Sequence, residues 1–69
     1  MNERQKERAS GFGRLLDLDQ LKEYTNLGRD NAKVFARKAG SVVKIGRSVR
    51  YDREIIDKAI DKMAKGETI

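Results

Sequence analysis

The sequence predicts a small, mostly helical α+β domain: a helix-turn-helix, a two-stranded β-hairpin and a closing helix. Three observations predict it. Apolar residues recur at helical spacing in three stretches, 18–25, 29–39 and about 53–65. Two short runs rich in β-branched residues, 42–45 and 48–51, flank the dipeptide Gly46-Arg47, which is the pattern of a tight hairpin. The chain has 69 residues with no Cys and no His, so one domain must be held by its core, without disulfides or a zinc site.

The elements follow in order. Residues 1–13, MNERQKERASGFG, carry charge without apolar periodicity and read as a disordered arm. Arg4, Lys6 and Arg8 could meet phosphates, although Glu3 and Glu7 offset most of that charge and favour a plain tail. The folded domain is expected over 14–66. Asp17 and Gln20 stand three apart before an apolar stripe, the spacing of a capping box, and predict a helix over 18–25 with Leu18, Leu21 and Tyr24 on one face. Thr25 to Gly28 breaks the period, and Gly28 is an acceptable N-cap for the next helix.

In the second helix, 29–39, Ala32, Phe35, Ala36 and Ala39 recur at i, i+3, i+4 and i+7 and form its buried stripe. Gly40 is the expected stop. In the hairpin, Gly at the first loop position predicts a type II′ turn. Simple alternation would put Val43, Ile45, Val49 and Tyr51 on one face and Lys44 and Arg50 on the other. Asp52 caps the third helix, whose stripe is Ile55, Ile56, Ala59, Ile60 and Met63, with Glu54–Lys58 and Asp61–Lys65 as supporting pairs. Gly66 ends it, and residues 67–69 should fray. A core this small is worth only about 3–5 kcal/mol, so marginal stability is expected.

Composition excludes several function classes. Without Cys or His there is no thiol nucleophile and no Ser–His pairing, and no acidic calcium loop is present. No run nears the ~18 apolar residues of a membrane helix, and no signal-peptide core opens the chain. The expectation is a cofactor-free, non-enzymatic protein of the cytoplasm.

The net charge is +5, and its location is informative. Residues 29–53 hold eight cations against Asp30 and Asp52, a net +6, while the rest of the chain is −1. A basic segment that coincides with the second helix and the hairpin is the footprint of a polyanion binder. In a helix-turn-helix the second helix enters the major groove and reads bases from its first turn. Arg29 suits guanine and Asn31 adenine, Lys33 a base or a phosphate, and Arg37 a phosphate. Lys44, Arg47 and Arg50 of the hairpin, the wing, are phosphate or minor-groove candidates. Asp30 fits a helix-start residue better than a base reader. Tyr24 and Tyr51 fall on apolar stripes and read as core rather than as base-stacking groups.

From Leu16 to about Met63 the chain resembles the excisionase family of DNA-binding domains, small winged helix-turn-helix proteins related to the head of MerR-type regulators. The resemblance rests on Leu18-Asp19-Gln20-Leu21-Lys22-Glu23-Tyr24, on the helix up to Gly40, and above all on Lys44-Ile45-Gly46-Arg47-Ser48-Val49-Arg50-Tyr51 followed by Asp52-Arg53-Glu54-Ile55-Ile56. In size and layout it is similar to excisionases of Gram-positive conjugative transposons. The resemblance makes 29–39 the recognition helix and Gly46-Arg47-Ser48 the wing tip. The chain departs from the family pattern at Gly28, Asp30 and Asn31, where small hydroxyl residues are usual, and lacks a Pro before the wing.

What the resemblance implies is a bacterial, nucleoid-associated accessory factor. It would bind double-stranded DNA at direct repeats near attachment sites, bend it, and help a tyrosine integrase excise a mobile element, with copies associating on DNA. The alternative is a small transcriptional regulator of a mobile element or phage. A third reading, a protein-binding domain with a basic face for an acidic partner, stays open at this level.

Overall fold

The computed structural model describes residues 12–68. The arm expected over 1–13 therefore lies outside the described residues up to position 11. The elements are β1 (Leu15–Leu16), α1 (Leu18–Thr25), α2 (Arg29–Ala39), β2 (Val42–Ile45), β3 (Ser48–Asp52) and α3 (Arg53–Ala64). The three strands form an antiparallel sheet in the order β1-β3-β2. The fold is thus a small α+β, winged-helix-like arrangement of three helices on a three-stranded sheet.

Local chemistry accounts for most boundaries. At the start of α1 the Gln20 N–H donates to the Asp17 carboxylate at 2.8 Å, and the Asp17 N–H donates to the Gln20 side-chain oxygen at 2.9 Å. Two otherwise orphaned helix donors are satisfied reciprocally, which is the expected capping box. Asn26 then turns the chain out of α1 in the left-handed conformation, φ 59°, which Asn tolerates better than most residues. Gly28 starts α2 in an extended conformation and supplies no side-chain cap. Gly40 stops α2 at φ 77°, where a Cβ would be strained. Beyond it, the Ser41 N–H and hydroxyl both donate to the Ala36 carbonyl, at 3.1 and 2.9 Å, so Ser41 is fully buried yet satisfied.

β1 is not among the elements expected from the sequence, because Leu15 and Leu16 are too few to show a period. They pair with the inner strand of the hairpin, Leu15 opposite Asp52 and Leu16 opposite Tyr51. The hairpin is therefore anchored on both sides at its base, and Leu16 and Tyr51 share the core-facing side.

The facing of the wing also differs from expectation. The two-residue loop pairs Ile45 with Ser48, Lys44 with Val49, Val43 with Arg50 and Val42 with Tyr51. Directly paired residues share a face. One face therefore carries Val42, Lys44, Val49 and Tyr51, and the other Val43, Ile45, Ser48 and Arg50. Simple alternation failed because it was counted across the loop, whose two residues shift the parity between the strands. The turn itself is as expected. Gly46 has φ 61° and Arg47 does not share a positive φ, which is the type II′ signature.

The core is Leu16, Leu21, Ala32, Ala36, Tyr51, Ile56 and Ala59. Phe12, Leu18, Tyr24, Phe35 and Ala39 pack around it half-buried. Ala32 and Ala36 let α2 approach α1 and α3 closely, as their small size implies. Phe35, expected in the core, sits at its edge. The apolar stripe of α3 also runs past the core: Ile56 and Ala59 are buried, but Ile60 is 40% and Met63 50% exposed. The last turns of α3 border an open groove with Leu27 and Phe35 instead of a closed core. The pairs Glu54–Lys58 and Asp61–Lys65 do not form; Glu54 is drawn instead to Arg14, 3.7 Å away. Just past α3, the Glu67 N–H donates to the Lys62 carbonyl at 3.0 Å. Ile69 lies outside the described residues.

Candidate nucleic-acid interface

Between α1 and α2 the connection is three residues, Asn26-Leu27-Gly28, and α2 leads through Gly40 and Ser41 into the hairpin. These are the parts of a helix-turn-helix with a wing. The Arg53 N–H donates to the Arg14 carbonyl and the Asp52 N–H to the Ser41 carbonyl, both at 2.8 Å. The base of the wing is thereby tied to the end of α2 and to β1.

On α2, Arg29, Lys33 and Arg37 are all exposed. At four-residue spacing they advance only about 40° per step, so they form one continuous cationic ridge. Asn31 is also exposed but lies roughly 160° round the helix from Lys33. It lines a groove with Val34, Phe35, Lys38 and Met63 on the side facing the end of α3. The structure therefore brings Arg29, Lys33 and Arg37 together and sets Asn31 apart. Asp30 is exposed in the first turn of α2, where its charge complements the helix dipole.

On the wing, Arg47 occupies the loop tip, exposed beside Gly46. Lys44 and Arg50 fall on opposite faces, and Ser48 shares the Arg50 face. Arg50 is half-buried and its guanidinium donates to the Val49 carbonyl at 2.8 Å. Val42, Ile45 and Val49 are more than a third exposed, so the hairpin projects beyond the core as an exposed finger. None of Arg29, Lys33, Arg37, Lys44, Arg47 or Arg50 is ion-paired among the described residues.

Two charges counted in the basic segment turn out to be structural. The Arg53 guanidinium donates to the Phe12 carbonyl at 3.1 Å. Asp52 is buried, and both its oxygens are engaged by Arg14, at 3.2 and 3.0 Å, while one also accepts the Glu54 N–H as the α3 cap. The Arg14 hydrogen bonds hold the Asp52 carboxyl below the ordinary carboxylate range. With Asp52 neutralised from outside the segment and Arg53 held at its base, the surface of α2 and the wing keeps only Asp30 against its cations.

Tyr24 is also structural. Its ring meets Phe12 edge-on at 6.1 Å, and its hydroxyl donates to the Asp57 carboxylate on α3. Partial burial, reinforced by that carboxylate, pushes the phenol up to about 12. Phe12, read with the arm, thus belongs to the folded domain.

Compared with known proteins, the chain matches no family model, no curated protein and no solved structure. No cluster of acidic side chains able to hold a metal ion occurs among the described residues, and none of their helices is long and apolar enough to cross a membrane. The surface offers a cationic helix ridge and a cationic finger on one scaffold.

One surface escaped the sequence reading. Lys38 of α2 and Lys58 and Lys62 of α3 border a shared groove over Ala39, Ile55 and Ala59. Its lysines are split between two helices, Lys38 and Lys58 being 20 residues apart, and two of the three lie outside the basic segment.

Proposed function

We propose that the protein is a sequence-specific double-stranded DNA-binding protein of the winged helix-turn-helix kind. The observation that carries this reading is the unneutralised ridge of Arg29, Lys33 and Arg37 on a helix that follows a three-residue turn and leads directly into a basic hairpin. The major groove is about 12 Å wide and admits one helix, so α2 enters it and α1 braces it. Arg29, in the first turn, reads a base edge, and Lys33 and Arg37 follow the groove toward phosphate. Asn31 reaches a base only from the opposite side of α2. Arg47 at the wing tip contacts backbone or minor groove. Because Lys44 and Arg50 face opposite ways, one of the two joins it with Ser48 or Val49 beside it, and the other faces away.

A single module of this size buries about 600–1,000 Å² on DNA, so one copy binds modestly and adjacent copies on direct repeats raise the affinity. The sequence resemblance supports the finer role of an excisionase that bends attachment-site DNA for a tyrosine integrase, with regulation of a mobile element's transcription as the second use of the same module. A mobility-shift titration on random duplex at low salt tests the basic claim; no binding there would leave the cationic surface to an acidic protein partner. Integrase-dependent excision with and without the protein tests the finer role.

A further inference from the structure

The groove lined by Lys38, Lys58 and Lys62 has a matching feature elsewhere on the same chain. Lys58 and Lys62 are an exposed like-charge pair at i,i+4 on α3, an arrangement that destabilises a helix slightly. Glu54, the natural partner of Lys58 one turn back, is held by Arg14 instead. On α1, Asp19 and Glu23 are an exposed like-charge pair of the opposite sign at the same i,i+4 spacing. None of these four side chains is ion-paired among the described residues. Both pairs are about 6 Å apart along their helix axes, so two helices laid side by side match them charge for charge.

The two pairs do not meet within one molecule. The bond from Tyr24 to Asp57 docks α1 against the Asp57 side of α3, whereas Lys58 and Lys62 face the groove shared with α2. We propose that they meet between copies: the Asp19–Glu23 edge of α1 in one copy docks on the Lys58–Lys62 edge of α3 in the next, with Lys38 across the groove as a third cation. When the α1 edge of one copy meets the α3 edge of another, the first keeps its α3 edge free and the second its α1 edge, so the pair either closes reciprocally on itself or adds further copies. Exposed ion pairs are individually weak, so the contact is transient in solution and strongly screened by salt. It involves none of the residues assigned to DNA and does not rest on the DNA reading.

The test is zero-length carbodiimide coupling, which joins a carboxylate to an amine only when they touch, on an equal mixture of unlabelled and 15N-labelled protein without DNA. Expected are inter-copy links from Asp19 or Glu23 to Lys38, Lys58 or Lys62, falling about fivefold between roughly 0.01 M and 1 M salt as the screening length shrinks. The paired variants Asp19→Lys/Glu23→Lys and Lys58→Glu/Lys62→Glu, each verified as folded by circular dichroism, should each lose the linked dimer alone. Mixed together they should regain it, because both contacts are then complementary again. Absence of dimer at low salt, links between other residues, or no rescue on mixing would overturn the proposal.

Discussion

Asp52 is the most demanding residue of this fold, and its removal has a calculable effect. The carboxylate is 5% exposed, caps α3 through the Glu54 N–H at 3.0 Å, and is held by Arg14 at 3.2 and 3.0 Å. In Asp52→Ala the cap is lost, at a cost of about 1 kcal/mol. The ion pair adds less than a buried pair would, because the Arg14 side chain is 62% exposed and solvent screens it. A total of about 1–2 kcal/mol follows, against a domain stability of about 3–5 kcal/mol. With a urea slope near 1 kcal/mol/M for so small a chain, the denaturation midpoint read by far-UV circular dichroism should fall by about 1–2 M. Asp52→Asn keeps an acceptor for the cap and should lose only part of this. The sign of the pH dependence follows from the lowered Asp52 pKa. Its stabilisation is present above the ordinary carboxylate value, near 3.9, and is lost as pH falls through the lower folded value. Asp52→Asn should therefore lack that acid-sensitive component. An Asp52→Ala variant with an unchanged midpoint would refute the structural role given to the Arg14–Asp52 tie.

Further outcomes are expected at Phe35, Tyr24, Arg29 and Arg47. Phe35→Ala should cost about 2 kcal/mol, short of the 3–5 of a fully buried Phe, because Phe35 lies at the rim of the core; a loss of 4 kcal/mol in urea denaturation would place it inside. Tyr24 donates to Asp57 only while protonated, and its pKa is raised from the ordinary 10.0 to about 12. The stabilisation it gives is intact below pH ~10 and disappears as pH rises toward 12, so Tyr24→Phe should show a flatter alkaline decline than the wild type in thermal melts. Arg29→Ala should reduce discrimination among DNA sequences by about 1–3 kcal/mol, whereas Arg47→Ala should weaken specific and random duplex alike and make the salt slope shallower by about 1, both read by fluorescence anisotropy.

Much of this fold was legible in the residues because its boundaries are set locally. Asp17 with Gln20, Gly28, Gly40, the Gly46-Arg47 loop and Asp52 each act within a few positions, and each stands where the sequence placed it. What failed was set at longer range. The strand Leu15–Leu16 exists only because β3 offers it an edge. Ile60 and Met63 keep the helical period of a core stripe, but they line an open groove with Leu27 and Phe35 and stay 40% and 50% exposed. Glu54 has Lys58 one turn away and still goes to Arg14, whose position no local pattern reveals.

The candidate site divides in the same way. The basic residues of α2 and the wing were visible from spacing, and the ridge of Arg29, Lys33 and Arg37 follows from helix geometry alone. The separation of Asn31 from that ridge follows from the same geometry, since a place in the first turn does not fix a place on the ridge face. The opposed facing of Lys44 and Arg50 needed the hairpin register, and the lysine groove needed the packing of α3 on α2.

The central claim is that the cationic ridge and finger bind DNA through its phosphates. Titrating a fixed duplex with the protein at several salt concentrations measures how many phosphates are neutralised. Lys33, Arg37, Arg47 and one of Lys44 or Arg50 supply four phosphate contacts, which predicts a slope of log K against log salt near −4. A slope near zero, or no binding at low salt, would contradict the account.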